Sequence, residues 1–280
     1  MFASALIQLL FLDILFLGFL LAAMLLLAYF RPVALAVVKR NFYAYFANPT
    51  GYVFLCLFVL LTSMAAFWPH EFFSSNLGTL SELNKWFTYI MLFFIPAITM
   101  SIWAEERRQG TDELLLTLPA DDFDIVIGKY VAAAAIYTVS LLFSQLSNFT
   151  VLALLTKGEV DTGLFFTNYL GYWLIGLAMI AIGMVASFLT NNLTVGFILG
   201  ALFNAPLAFA AKSDTITGRP IAREIKNFSL SERFDDFGRG VISLSGLAYF
   251  TLVAIFGLYL CLILIGKMHL ISVKDGSVRW

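Results

Sequence analysis

The densest ionisable cluster beside a long apolar run is Glu105-Glu106-Arg107-Arg108. Paired glutamates at a membrane helix are residues that an intramembrane metalloprotease uses. Such a metal centre also needs histidine or carboxylate ligands from other helices. The two histidines, His70 and His269, fall in a loop and beyond the last apolar run, so the ligand set is incomplete. Cys56 and Cys261 sit inside apolar runs and read as small core residues, neither a disulfide frame nor a metal site. No GxxxxGK[ST] string occurs, so the chain lacks the amide cradle and lysine that hold a nucleotide's phosphates. The remaining candidates are polar residues inside apolar runs: Asp13, Gln145, Asn148, Asn168 and Asn204. Such groups line the path of a carrier or channel. Neutral amides also join helices by hydrogen bonds, and both roles stay open here.

The elements that carry these residues are membrane helices. Of 280 residues, 61% are hydrophobic and 12% charged. Soluble domains hold roughly 45–50% and about 25%. A soluble core of this size could not hide so much apolar surface, whereas helices in lipid satisfy their own backbone. The net charge of −1 carries no nucleic-acid signal. Runs near the ~20 residues of a spanning helix fall at Ile7–Phe30, Tyr52–Trp68, Trp86–Ala104, Ile127–Leu155, Leu164–Leu189, Leu193–Ala211 and Ser245–Gly266. The first has no preceding positive charge and exceeds a secretory signal's apolar stretch, so it reads as a retained helix. Asn204 and Pro206 interrupt the sixth. Trp68, Trp86, Trp103 and Trp173 lie near span ends, where indoles favour the interface.

Between the first two spans, Leu35, Val38, Phe42, Tyr45 and Phe46 recur at helical spacing, with Lys39, Arg40 and Asn41 largely opposite. The pattern predicts an amphipathic helix over Val33–Pro49 lying in the membrane interface. Asn48-Pro49-Thr50-Gly51 then turns the chain into the bilayer. After the third span the chain reads EERRQGTDELLLTLPADDFDIVIGK. Gly110 ends one helix, and Thr111 caps a short leucine helix with Asp112 and Glu113 in its first turn. Pro119 stops it, and Asp121 with Asp124 forms a capping box for the next span. A separately capped apolar helix suits docking into a partner's groove. The longest connection, Lys212–Ile242, holds Ile225, Phe228, Leu230, Phe234 and Phe237 and predicts short helices at the membrane surface.

Placing the capped segment inside the cell puts nine of the 17 lysines and arginines inside and eight outside. Six of those eight belong to Lys212–Ile242; without that loop the bias supports a cytoplasmic C-terminus and an outside N-terminus.

Ala104–Pro119 (AEERRQGTDELLLTLP), continuing to Ile125–Tyr130 (IVIGKY), resembles permease subunits of ABC-2 type ABC transporters, closest to the gliding-motility-type branch. Phe42–Phe54 (FYAYFANPTGYVF) is similar to that family's entry segment, and Phe234–Phe250 (FDDFGRGVISLSGLAYF) to its stretch before the last helix. Together these cover about Lys39 to Gly266 in the family's order.

The resemblance implies an all-α integral membrane protein in three parts. Residues 1–32 form an extra N-terminal transmembrane helix, residues 33–50 the amphipathic interfacial connecting helix, and residues 51–280 a six-helix ABC-2 type core. It implies a cytoplasmic coupling helix at residues 111–118 that docks on an ABC ATPase subunit. The docking residues would be Glu105, Glu106, Arg107, Arg108, Gly110, Thr111, Glu113, Leu114, Leu115, Leu118 and Pro119. ATP and Mg would be bound by that ATPase, with no cofactor on this chain. A second permease, identical or related, would complete the membrane path, and the direction would be export. The family chain normally begins near the interfacial helix, so the first span is a departure. An ATP-independent carrier or channel is the alternative, with Gln145, Asn148, Asn168 and Asn204 as its path, but it leaves the capped leucine helix unexplained.

Overall fold

The computed structural model describes residues 2–68, 79–111, 120–157, 160–215, 226 and 229–274. Ten α-helices follow one another among them, with no strand. They are α1 (Phe2–Phe30), α2 (Pro32–Ala47), α3 (Pro49–Ala66), α4 (Ser81–Thr99), α5 (Ser101–Gln109), α6 (Asp122–Leu155), α7 (Thr162–Phe188), α8 (Leu193–Phe209), α9 (Leu230–Gly238) and α10 (Leu244–Lys274). A kinked 3₁₀ turn, Ala210–Thr215, extends α8.

Six helices among the described residues are long and apolar enough to cross a bilayer singly: Ser4–Phe30, Ser81–Gln109, Asp122–Leu155, Thr162–Phe188, Leu193–Lys212 and Leu244–Lys267. The second expected span does not stand alone. Pro32–Ala47 and Gly51–Ala66 form one bent pair with an angle of 79°, which brings the count to seven. Prolines make both joints. Pro32 and Pro49 occupy first-turn positions of α2 and α3, where the missing N–H costs nothing, and they push Arg31 and Asn48 out of helical backbone. Pro206 does not interrupt the sixth span, because α8 continues through it to Phe209.

Helix α7 is the axle of the bundle, with most of its span buried, whereas almost none of α1 is. Helices α4, α6, α8 and α10 pack around α7, and α9 lies across its first turns. The Tyr172 ring of α7 stacks between Phe87 of α4, at 3.8 Å, and Phe234 of α9, at 5.1 Å. As expected for the long connection, α9 is a short amphipathic helix that buries Leu230, Phe234 and Phe237; Ile225 and Phe228 lie outside the described residues.

Helix α1 is apolar all round and keeps most of its large side chains exposed, as a lipid-facing helix does. It touches the bundle at few points. Gln145 donates to Asp13 Oδ1 at 2.8 Å, and Phe16 meets Trp173 edge to face at 5.2 Å.

Candidate functional site

Ser101–Gln109 continues the course of α4 after a break at Met100. Ser187 of α7 fills the break. Its hydroxyl accepts from the Trp103 and Ala104 amides at 3.1 and 3.2 Å and donates to the Met100 carbonyl at 2.9 Å. One side chain thus satisfies three backbone groups left by the interrupted ladder. Arg107 holds the same joint, donating to the Phe188 carbonyl at 2.5 Å with its guanidinium 4.5 Å from the Phe188 ring centroid. Gly110 closes α5 in the left-handed region, φ 67°, where a Cβ is disfavoured. The Gly110 and Thr111 amides bond back to the Arg107 and Glu106 carbonyls.

Glu106 is the hub. Arg40 of α2 reaches its Oε1 at 2.5 Å, and Lys129 of α6 reaches its Oε2 at 2.6 Å. The Lys129 side chain is 0% exposed and that of Glu106 17%. Lys129 also donates to the Ile102 carbonyl at 2.6 Å and lies 4.3 Å from the Trp103 ring centroid. A buried ammonium needs such partners, because its desolvation is costly. Gly128 lets α2 come close enough for Arg40 to reach. A Cβ there would stand 2.7 Å from Val37 Cβ and 2.8 Å from the Ala34 carbonyl oxygen.

The place of one side chain and the form of one cap change at this end of the bundle. The predicted interfacial helix buries Ala34, Val37 and Val38 and packs along α6. Arg40, assigned to its polar side, turns to Glu106. The capping box at Asp121 does not form either. Asp121 is the N-cap of α6 by position, yet its carboxylate makes no cap hydrogen bond. Asp121 and Asp124 instead accept from Arg31 at 2.9 and 3.2 Å. The guanidinium outcompetes an amide because both partners of that bond are charged.

Of the expected docking residues, Glu105 accepts from Arg108 at 2.7 Å and from Gln109 at 2.6 Å. Thr111 donates its hydroxyl to the Glu106 carbonyl at 3.3 Å, closing the helix before it. Glu113, Leu114, Leu115, Leu118 and Pro119 lie outside the described residues. With Glu105 and Glu106 both facing cations, the cluster has the wrong electrostatics for a metal ligand set.

The four amides of the expected path are dispersed through the bundle. Asn148 accepts from Ser63 at 2.7 Å and donates to the Tyr169 hydroxyl at 2.9 Å, joining α3, α6 and α7. Thr62 and Ser144 extend this network at 2.7 Å. Gln145 holds α1 through Asp13. Asn168 donates to the Leu164 carbonyl at 2.7 Å, and Asn204 to the Gly200 carbonyl at 2.9 Å. The Oδ1 atoms of Asn168 and Asn204 are buried without a hydrogen-bond partner.

Sequence reasoning missed Arg40, Ser187 and Gly128 as partners of the 105–108 cluster. Lys129 had a signal, being a lone cation within a membrane run.

A family model described as ABC-2 family transporter protein matches residues 72–274, which take in α4 to α10. Among curated proteins, none matches the chain.

Proposed function

Since the chain belongs to the ABC-2 transporter family, as the transmembrane permease of an ABC transporter, we propose that it is an exporter's membrane path driven by a separate ATPase subunit. That subunit binds ATP and Mg. Residues 111–118 form the coupling helix, and Leu114, Leu115 and Leu118 dock on the ATPase. A second permease, identical or related, completes the path. The end of the bundle bearing Glu106 is cytoplasmic, as is the C-terminus, while the N-terminus lies outside. The 105–119 and 234–250 motifs support a place in the gliding-motility-type branch.

The observation that carries this reading is the convergence of Arg40 and Lys129 on Glu106. The segment 112–119 joins α5 to α6, and the Glu106 hub clamps those two helices together and ties α2 to them. Ser187 and Arg107 tie the same unit to α7. A push on residues 111–118 therefore moves α2, α5 and α6 together and reaches the axle of the bundle. A carrier or channel has no use for such a lever. Among the path amides, Asn168 and Asn204 keep a buried acceptor for a passing substrate, whereas both amide groups of Asn148 are engaged in helix packing.

The test is a mild-detergent pull-down of tagged protein from its native membrane. A soluble protein with a phosphate loop is expected to co-purify, and Leu115→Asp is expected to lose it while still inserting. One leucine contributes about 1.5–3 kcal/mol on burial, enough for a tenfold or greater loss of recovery. The chain recovered alone from several detergents would replace this reading with a self-sufficient carrier.

A further inference from the structure

At the end of the bundle away from Glu106, a cleft of about 670 Å³ opens between the first turns of α4, the 3₁₀ turn and α9. Lys85 lies about 32 Å along the α4–α5 course from Glu106, at 1.5 Å per residue. Each wall supplies one cation: Lys85 from α4, Lys212 from the 3₁₀ turn and Arg239 from the end of α9. Asp235 is the one acid among the described lining residues. Lys85 pairs with Glu82 at 2.6 Å, and Arg239 with Asp235 at 3.2 Å. The Arg239–Asp235 pair is exposed on both sides, at 74% and 64%, whereas Lys85, 62% exposed, faces a Glu82 carboxylate that is only 10% exposed. An exposed pair such as Arg239–Asp235 is weak and reorganises readily around a stronger anion. The Lys212 ammonium stands 4.8 Å from the Tyr89 ring centroid.

Ser81, Asn84 and Ser231 add neutral polar groups, and the remaining lining is apolar and aromatic. Trp86 and Tyr89 form one flank, and Phe234, backed by Tyr172, forms the floor. Indole and phenol rings settle where headgroups meet acyl chains. The cations run against the charge bias of membrane proteins. On the proposed orientation this end faces outward, where lysine and arginine are normally depleted, yet six cations of the sequence cluster in Lys212–Ile242.

We infer that this cleft is a binding site for a phosphate-type anion, held by Lys85, Lys212 and Arg239, with Trp86 and Tyr89 to receive the apolar chain where the anion is a lipid headgroup. The anion is either a lipid headgroup or free phosphate. Gly238 lines the cleft beside Asn84: a Cβ there would stand 3.2 Å from the Asn84 amide nitrogen, so a larger side chain narrows the site without altering its charge. Only the outward placement of the cleft rests on the proposed orientation.

The whole chain in a neutral maltoside detergent is titrated with dioctanoyl phosphatidic acid, dioctanoyl phosphatidylcholine and inorganic phosphate. Trp86 fluorescence is the readout, with Trp86→Phe as the background. Saturable binding of the phosphatidic acid is expected, at least tenfold tighter than the phosphatidylcholine. Equal affinity for inorganic phosphate identifies the free anion as the source; much weaker phosphate binding identifies the lipid headgroup. Lys212→Gln with Arg239→Gln is expected to weaken binding tenfold or more. Gly238→Val is expected to weaken it without changing charge, and Lys39→Gln at the opposite end is expected to leave it intact. No saturable signal from either anion overturns the inference, as does equal binding by the Lys212→Gln/Arg239→Gln variant. No ATPase enters this titration, so its failure and the failure of the ABC reading are separately visible.

Discussion

Replacing Glu106 with methionine removes the acceptor that holds a buried ammonium. Lys129 then keeps only the Ile102 carbonyl and the face of Trp103. Removing one partner of a buried ion pair costs about 3–5 kcal/mol. Glu106 is 17% exposed, so some water reaches the site and the lower end, about 3 kcal/mol, is expected. Lys129→Met should cost less, about 1–2 kcal/mol, because Glu106 keeps Arg40 and its exposed edge. Arg40→Ala removes a pair whose arginine side chain is 52% exposed and should cost about 0.2–1 kcal/mol. The double variant Glu106→Met/Lys129→Met leaves no buried unpaired charge, only the half-exposed Arg40, and fills the space with apolar atoms. It should unfold close to the Lys129→Met variant, giving an interaction energy of at least about 2 kcal/mol. Unfolding by sodium dodecyl sulfate in mixed micelles, followed by circular dichroism, measures all four variants. An additive double variant, or a Glu106→Met variant within about 1 kcal/mol of the parent, would refute the buried-pair reasoning.

Gly128→Leu drives a side chain into Val37 Cβ and the Ala34 carbonyl; overpacking of this kind costs about 1–3 kcal/mol. Helix α2 should lift from α6, and trypsin should cut at Lys39 faster than in the parent; equal rates would show that α2 does not depend on this contact. Asn148→Leu loses the bonds to Ser63 and Tyr169. Interhelical bonds in membranes average about 0.6 kcal/mol, so a loss of about 1–2 kcal/mol is expected in the same unfolding assay. Tyr169→Phe should add less than its separate cost, and full additivity would place the two residues in different networks.

The sequence by itself determined where most of the helices lie, because those signals are local. Runs of apolar residues close their own backbone ladders in lipid. Pro32, Pro49 and Gly110 mark boundaries through backbone restrictions that need no distant partner. The short helix α9 was legible for the same reason: Leu230, Phe234 and Phe237 share a face and were buried as a face. Tertiary structure decided which side chains meet. Apolar periodicity names a buried face, but α6 and α7 are apolar nearly all round and carry no facing signal. Their rotation is set by packing against several helices at once. Hence Arg40, Glu106 and Lys129 converge from three helices, and Ser187 enters the α4–α5 break from a fourth. The sequence offered Asp121 a local role as a cap; the fold brought Arg31 within 2.9 Å, and the charged partner prevailed over the backbone amide.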